Sequence, residues 1–189
     1  MVGGKLISVA LLGVLSWFPA AAQEVADWGT IGGWKIKVDR TLGDGCFAMQ
    51  VYERGTVVRI GFDVSKSRIY LFFGHDSWKS LEVGKLYPVR IVFDGGTKYD
   101  GEMRGTRLGT VVFLAHRQVS PDFVKDFMER SGMQIFYEGN QIANLSLRNT
   151  YAAVSEVMNC QRELGFASKK ADPFSSGSSP ARSTDPFSR

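Results

Sequence analysis

Residues 46–62, with the sequence CFAMQVYERGTVVRIGF, decide the fold class of this chain. In Cys46 to Tyr52, the large side chains Phe47, Met49 and Val51 alternate with their neighbours, and residues 57–62 form a second short apolar run. A period of two is typical of a strand with one buried face. Two such runs joined by a short turn that contains glycine indicate a β-hairpin.

The same pattern recurs on both sides of this hairpin. Short apolar or alternating runs, separated by glycine-containing turns, occupy residues 34–38, 68–73, 88–93, 98–103, 110–115, 133–137 and 141–147. The run at 68–73 is apolar on both faces, which is typical of a central strand with cover on each side. Consecutive tight turns favour antiparallel pairing between sequence neighbours.

Two segments change to a helical period. Ser120 is a good N-cap, Pro121 suits the first helical position, and Gly132 is expected to stop this helix. A second helix is predicted for residues 151–164, ending at Gly165. We therefore predict a mostly β protein: an antiparallel β-sandwich or partly open barrel of about eight or nine strands, with two helices, one of them C-terminal.

Residues 1–22 have the features of a secretory signal peptide. Lys5 precedes an apolar run from Leu6 to Phe18, and small residues end the segment at Ala22. The alternative, a membrane anchor, needs about 20 apolar residues, and this run is shorter. We expect cleavage near Ala22, no transmembrane anchor, and a mature protein in the periplasm or outside the cell.

The charge distribution argues against nucleic acid as a partner. The whole chain has 23 lysines and arginines against 19 aspartates and glutamates, but residues 23–164 hold 18 against 17, and the two signs are interspersed. A nucleic-acid-binding domain needs a clustered basic face. The sequence therefore predicts no binding of nucleic acid.

The C-terminal segment is rich in serine and proline and repeats the sequence Asp-Pro-Phe-Ser. The repeat places Asp172 and Phe174 in its first copy and Asp185 and Phe187 in its second, which makes these four residues a candidate partner-binding motif. The segment has too little apolar content to fold alone. Three segments are predicted: a signal peptide (1–22), a β-rich globular domain (23–165) and a disordered tail (166–189).

Cys46 and Cys160 are the two cysteines of the chain. An even cysteine count in an exported protein favours a disulfide, and Cys160 shares a face of the predicted helix with Ala153 and Val157. A bond would join this helix to an early strand. Buried free thiols are the alternative. We predict no metal site and no cofactor, because the sequence lacks paired cysteine or histidine ligand spacing.

His75, Asp76 and Trp78 form a candidate recognition patch, because large aromatic side chains are favoured anchors at protein interfaces. Ser77 lies between Asp76 and Trp78, so the residue types of a hydrolase triad are all present. A triad needs its three groups to converge in a set order, and adjacent side chains on an extended loop are expected to point apart. We predict a polar turn with one aromatic anchor and no catalytic residues.

Residues 145–154, LSLRNTYAAV, together with Cys160 carry a resemblance to a known family. A strand ending in Ser-Leu, a short turn, and a helix with a late cysteine are similar to the C-terminal part of the invasion-associated locus B family. Those small exported proteobacterial proteins pair a signal peptide with an all-β body. The resemblance implies a bacterial envelope protein tied to host interaction, and it supplies no catalytic residues.

Three functions follow from these observations. The first is a non-enzymatic exported protein that binds another protein of the envelope or of a host, or supports the envelope. The second is a small exported hydrolase that uses His75 and Asp76 or a carboxylate pair, and the third is an inhibitor or ligand carrier. The sequence favours the first, because no catalytic constellation is evident. It does not indicate an oligomeric state.

Overall fold

The computed structural model describes residues 24–169, which form a single ten-stranded antiparallel sheet and two α-helices. In chain order the elements are β1 (Val25–Ile31), β2 (Trp34–Asp39), β3 (Gly45–Val51), β4 (Thr56–Asp63), β5 (Arg68–His75), β6 (Leu86–Phe93), β7 (Lys98–Leu108), β8 (Val111–His116), α1 (Pro121–Glu129), β9 (Gly132–Tyr137), β10 (Asn140–Ser146) and α2 (Thr150–Lys169). The strand order is β1-β2-β3-β4-β5-β8-β7-β6-β9-β10.

The predicted fold class is confirmed. The protein is mostly β, its strands are antiparallel, and one of its two helices is C-terminal. The sheet is not closed into a barrel, since β1 and β10 lie at its two ends. All nine runs identified in the sequence are strands, and β1 is a tenth that was missed. Its register shifts between Asp27 and Gly29, and this irregularity hides the period of two.

One buried cluster contains side chains from strands near both ends of the sheet and from both helices. Trp34 of β2 is 0% exposed, and its ring packs edge-on against Phe127 of α1 at 5.9 Å between centroids. Phe93 of β6 packs against Phe123 of α1 at 5.3 Å. Strands β2 and β6, which lie toward opposite ends of the sheet, therefore share a core through α1.

The opposite face of the central strands carries a second, smaller buried cluster that includes Phe47, Tyr70 and Phe72. Arg59 is buried there, with its guanidinium 3.6 Å from the ring centroid of Phe47. It donates to the Tyr70 hydroxyl at 2.7 Å and pairs with Asp39. The prediction that residues 68–73 are covered on both faces is confirmed, because Tyr70 to Phe73 are all buried.

Helix α1 begins as the sequence predicts. The Ser120 hydroxyl accepts from the Phe123 amide at 3.2 Å, and Pro121 is the first helical residue. Helix α2 continues past Gly165 to Lys169, so the predicted end at this glycine was wrong. A glycine weakens a helix by about 1 kcal/mol but ends it reliably only in the left-handed conformation, which Gly165 does not adopt.

A disulfide joins Cys46 of β3 to Cys160 of α2, with 6.1 Å between the Cα atoms. This is the pairing expected from the sequence. The next residue, Gln161, accepts from the Cys46 amide at 2.8 Å. Both cysteines are 0% exposed, so the bond lies in the core and fixes the helix to the sheet.

The predicted signal peptide (1–22) and the tail motif (Asp172, Phe174, Asp185 and Phe187) lie outside the described residues. Among residues 24–169, no helix is long and apolar enough to cross a membrane.

Candidate functional site

A cleft of about 740 Å³ lies between the β3–β4 connection and the last strand of the sheet. Residues 50–54 form one wall, and residues 141–146 of β10 form the other. His75, Ser77 and Trp78, which follow β5, line it as well. Two of the three residues of the predicted recognition patch, His75 and Trp78, therefore line this cleft.

Strand β10 presents a free edge at this cleft. It is the last strand of the sheet and, within residues 24–169, its only strand neighbour is β9. Its Ala143 and Leu145 side chains are buried, whereas Asn144 and Ser146 are exposed. A free strand edge carries backbone amides and carbonyls that can pair with another extended chain.

Three hydrogen bonds hold the end of β10 and the segment that follows it. The Tyr52 hydroxyl donates to the Ser146 carbonyl at 2.8 Å, across the cleft. The Trp34 indole donates to the Arg148 carbonyl at 3.3 Å, and the Asn149 side chain donates to a carbonyl in the β1–β2 turn at 3.0 Å. Burial raises the pKa of Tyr52, so its hydroxyl stays protonated and remains a donor. These bonds position the free edge opposite the β3–β4 connection.

Gln50 supplies an unused acceptor on the wall opposite β10. Its side-chain Oε1 is buried and has no hydrogen-bond partner among the residues that the structure describes, the only such side-chain atom there. A buried acceptor without a partner costs about 1–3 kcal/mol, so native proteins rarely keep one. Gln50 is one of the residues that line the cleft.

The predicted patch is held together by short contacts. The rings of His75 and Trp78 stack with 5.9 Å between centroids and 26° between planes. Asp76 Oδ1 lies 3.0 Å from His75 Nδ1, and its side chain is 83% exposed. Trp78 is half-buried and lines the cleft, so part of its ring offers apolar surface there.

The expectation that the side chains of His75, Asp76 and Ser77 point apart was wrong. The Trp78 amide donates to the His75 carbonyl at 3.1 Å, so the chain makes a tight turn rather than an extended loop. This turn brings Ser77 Oγ to 2.8 Å from His75 Nδ1. Turn geometry of this kind is not evident from residue types alone.

These contacts do not form the relay of a hydrolase triad. In the triad, the nucleophile and the orienting carboxylate contact opposite nitrogens of the imidazole. Here Ser77 and Asp76 both approach Nδ1, and Nε2 of His75 is bonded to the Arg54 carbonyl. The carboxylate therefore cannot orient the ring while the serine uses its other nitrogen.

Other chemistry-bearing residues lie apart from the cleft. Both ring nitrogens of His116 lie near carbonyls, those of Glu102 at 3.4 Å and Gln118 at 3.1 Å. Asp100 pairs with Arg90 on the surface of the sheet. In the described part of the chain, no three histidine, cysteine or carboxylate side chains come close enough to hold a metal ion.

Sequence reasoning missed Gln50 and the edge of β10. Gln50 is an ordinary residue in an alternating run, and its acceptor is notable only because nothing in the structure donates to it. Residues 141–147 were correctly predicted as a strand. Its place at the end of the sheet follows from β6 pairing with β9, a long-range contact that no local pattern encodes.

One solved structure shares this architecture. Invasion associated protein B from Bartonella henselae superposes with a TM-score of 0.52 at 14% identity, over 71% of this chain and 97% of that chain. At this identity the likeness shows the fold alone. It confirms, at the level of fold, the resemblance based on residues 145–154 and Cys160. No family model matches the chain, and no curated protein matches its sequence.

Proposed function

We propose that this chain is a non-enzymatic exported protein, periplasmic or secreted, that binds an extended segment of another protein in the cleft beside β10. The observation that carries the proposal is the pairing of a free strand edge with the unpartnered Gln50 acceptor across the same cleft. An extended segment supplies N–H donors along its length, so it could pair with the edge and satisfy Gln50 together.

The side chains around the cleft suit such a segment. Trp78 and Tyr52 present aromatic surface, which is favoured at binding hot spots. Arg54 and Arg148 outnumber Glu53 among the lining residues, so a segment with a carboxylate is favoured over a basic one. The buried disulfide and the predicted signal peptide support export.

The shared fold supports the kind of partner. The Bartonella henselae protein is named for an association with invasion, and an exported protein of that fold is expected to meet proteins of the envelope or of a host. The analogy concerns the fold only and assigns no residue. The binding proposal therefore depends on the cleft and not on the neighbour.

The test is capture of exported and host-surface proteins by the mature protein and by two cleft variants. Gln50→Leu removes the acceptor at similar size, and Trp78→Ala removes the ring. We expect both variants to lose a partner that the wild type captures. Tyr151→Ala is the matched control, because Tyr151 is 64% exposed and lies outside the cleft. A partner retained by both cleft variants, or lost by the control, would refute the proposal.

Contact with the edge itself is tested by photo-crosslinking. A benzophenone amino acid replaces Asn144, which is exposed in the middle of β10, or Tyr151 as the control. Mass spectrometry then identifies the crosslinked segment. The proposal requires crosslinks from position 144 to one extended segment of the captured partner, and none of these from position 151.

A further inference from the structure

A second opening lies beside residues 98–103 of β7, which pair with one strand only. Residues 98–104 of β7 pair with β6, but β8 pairs with β7 only from Arg104 to Leu108. On the far side, β5 pairs with β8 only from Leu71 to Phe73. The sheet therefore divides into two arms here, β5–β8 and β6–β7, with α1 across the gap.

A pocket of about 140 Å³ occupies the gap between these arms. It shares no lining residue with the cleft beside β10, so the two sites are separate. Its apolar walls come from both arms and from α1, and they include Leu71, Ile91, Met103 and Phe123. Each of these side chains is at most 7% exposed.

Gly101 leaves open space at the wall of this pocket. It lies between Tyr99 and Met103 on the row of β7 that faces the core, because alternate residues of a strand share a face. A Cβ at Gly101 would meet nothing within 4 Å, and its φ lies outside the left-handed region. The backbone therefore does not require glycine here. Gly101 is exposed and lines the pocket, so the absence of a side chain keeps this part of the pocket wall open.

Three polar residues that line the pocket, Asp100, Ser120 and His116, are already engaged within the protein. Asp100 binds Arg90 through contacts of 2.6 and 3.3 Å, and the Ser120 hydroxyl accepts from the Phe123 amide. His116 lies against two backbone carbonyls. The pocket therefore offers apolar contact rather than a free charge to its occupant.

We propose that this pocket binds a small neutral molecule that carries one ring-sized apolar group. The volume argues for this class, because an engineered apolar cavity of about 150 Å³ stays dry and takes up benzene. A longer chain or a fused ring system exceeds the space. A carboxylate on the ring is disfavoured, because it would lose water beside Asp100 without gaining a cationic partner.

The test uses benzene and benzyl alcohol as probes and benzoate as the charged comparison, with saturation-transfer NMR and calorimetry on the mature protein. Benzene and benzyl alcohol are expected to bind with a dissociation constant of about 1 mM or tighter. Benzoate is expected to bind roughly tenfold more weakly or worse. No binding of benzene at saturating concentration, or equal binding of benzoate, would overturn the proposal.

Gly101→Val adds a branched side chain at the wall of the pocket and is expected to weaken binding of benzene roughly tenfold or more. Gly29→Val is the matched control, since a Cβ at Gly29 also meets nothing within 4 Å and Gly29 lies in β1, far from the pocket lining. It should bind benzene within about twofold of the wild type. Unchanged binding by Gly101→Val, or equal loss by Gly29→Val, would overturn the proposal.

A second measurement does not depend on the folding of a variant. In wild-type protein with ¹³C-labelled methionine methyl groups, benzene should shift the resonance of Met103, which lines the pocket. Met49 belongs to the cluster on the other face of the sheet and should not shift. Equal shifts of both methyl groups would indicate non-specific partition and would contradict the pocket assignment.

Discussion

The disulfide makes a quantitative prediction about stability. Cys46 and Cys160 are 114 residues apart in sequence, so their bond closes most of the described chain into one loop. In the chain-entropy account, a loop of that length restricts the unfolded state by about 5 kcal/mol, and removing native disulfides costs about 2–5 kcal/mol. Reduction keeps both buried sulfur atoms in the core. The measured loss of stability therefore reports the freedom gained by the unfolded chain, with little cost from a new cavity.

The assay is urea unfolding of the mature protein with the disulfide oxidised and after phosphine reduction, followed by circular dichroism and tryptophan fluorescence. For a domain of this size the free energy of unfolding falls by about 2 kcal/mol per M of urea, so a loss of about 5 kcal/mol lowers the midpoint by about 2.5 M. The double variant Cys46→Ala and Cys160→Ala should unfold at a low midpoint with or without reductant.

Two results would contradict this reasoning. A midpoint that moves by less than about 0.3 M on reduction would mean that the bond does not restrict the unfolded chain as calculated. Two free thiols in the protein isolated after export, read by non-reducing mass spectrometry, would mean that Cys46 and Cys160 are not bonded at all.

Three further predictions concern α1 and the His75 turn. Ser120→Ala should lower the free energy of unfolding by about 1 kcal/mol, measured by urea, because it removes the N-cap acceptor, whereas an unchanged midpoint would exclude this role. The Tyr99 hydroxyl and Arg130 hold the pKa of Asp126 below its usual range. The stability from Asp126 is therefore complete above the unfolded pKa of about 4 and is lost as the pH falls toward the lower folded value. Asp126→Asn should flatten that acid limb in thermal unfolding, and an identical limb in both proteins would contradict this. A fluorophosphonate probe should leave Ser77 unlabelled, and labelling abolished by Ser77→Ala would instead establish a reactive serine.

The local elements were predictable because their signals are short-range. Strand β4 is encoded in its own residues 56–63, and α1 in the cap, the proline and the apolar stripe that follow one another from Ser120. Strand β1 was missed where a local irregularity at Gly29 breaks the alternation. The end of α2 was misplaced because glycine alone does not settle whether a helix continues.

The site residues also divide into those that the sequence predicted and those that only the structure revealed. His75 and Trp78 were predicted as a patch from residue type, and the structure brings them together at a cleft. The contact of Ser77 with His75 depends on a turn whose backbone angles the residue types do not specify. Gln50 and Gly101 matter only because of what other strands leave around them.

The sequence by itself determined the fold class, the two helices and the pairing of two cysteines, because alternation, caps and an even cysteine count act locally or by composition. Only the tertiary structure decided that β10 is an edge and that the sheet opens at Gly101. Both depend on pairings between strands that are not neighbours in the sequence, β6 with β9 and a short stretch of β5 with β8. Such pairings are selected by burial over the whole chain, which a local pattern does not record.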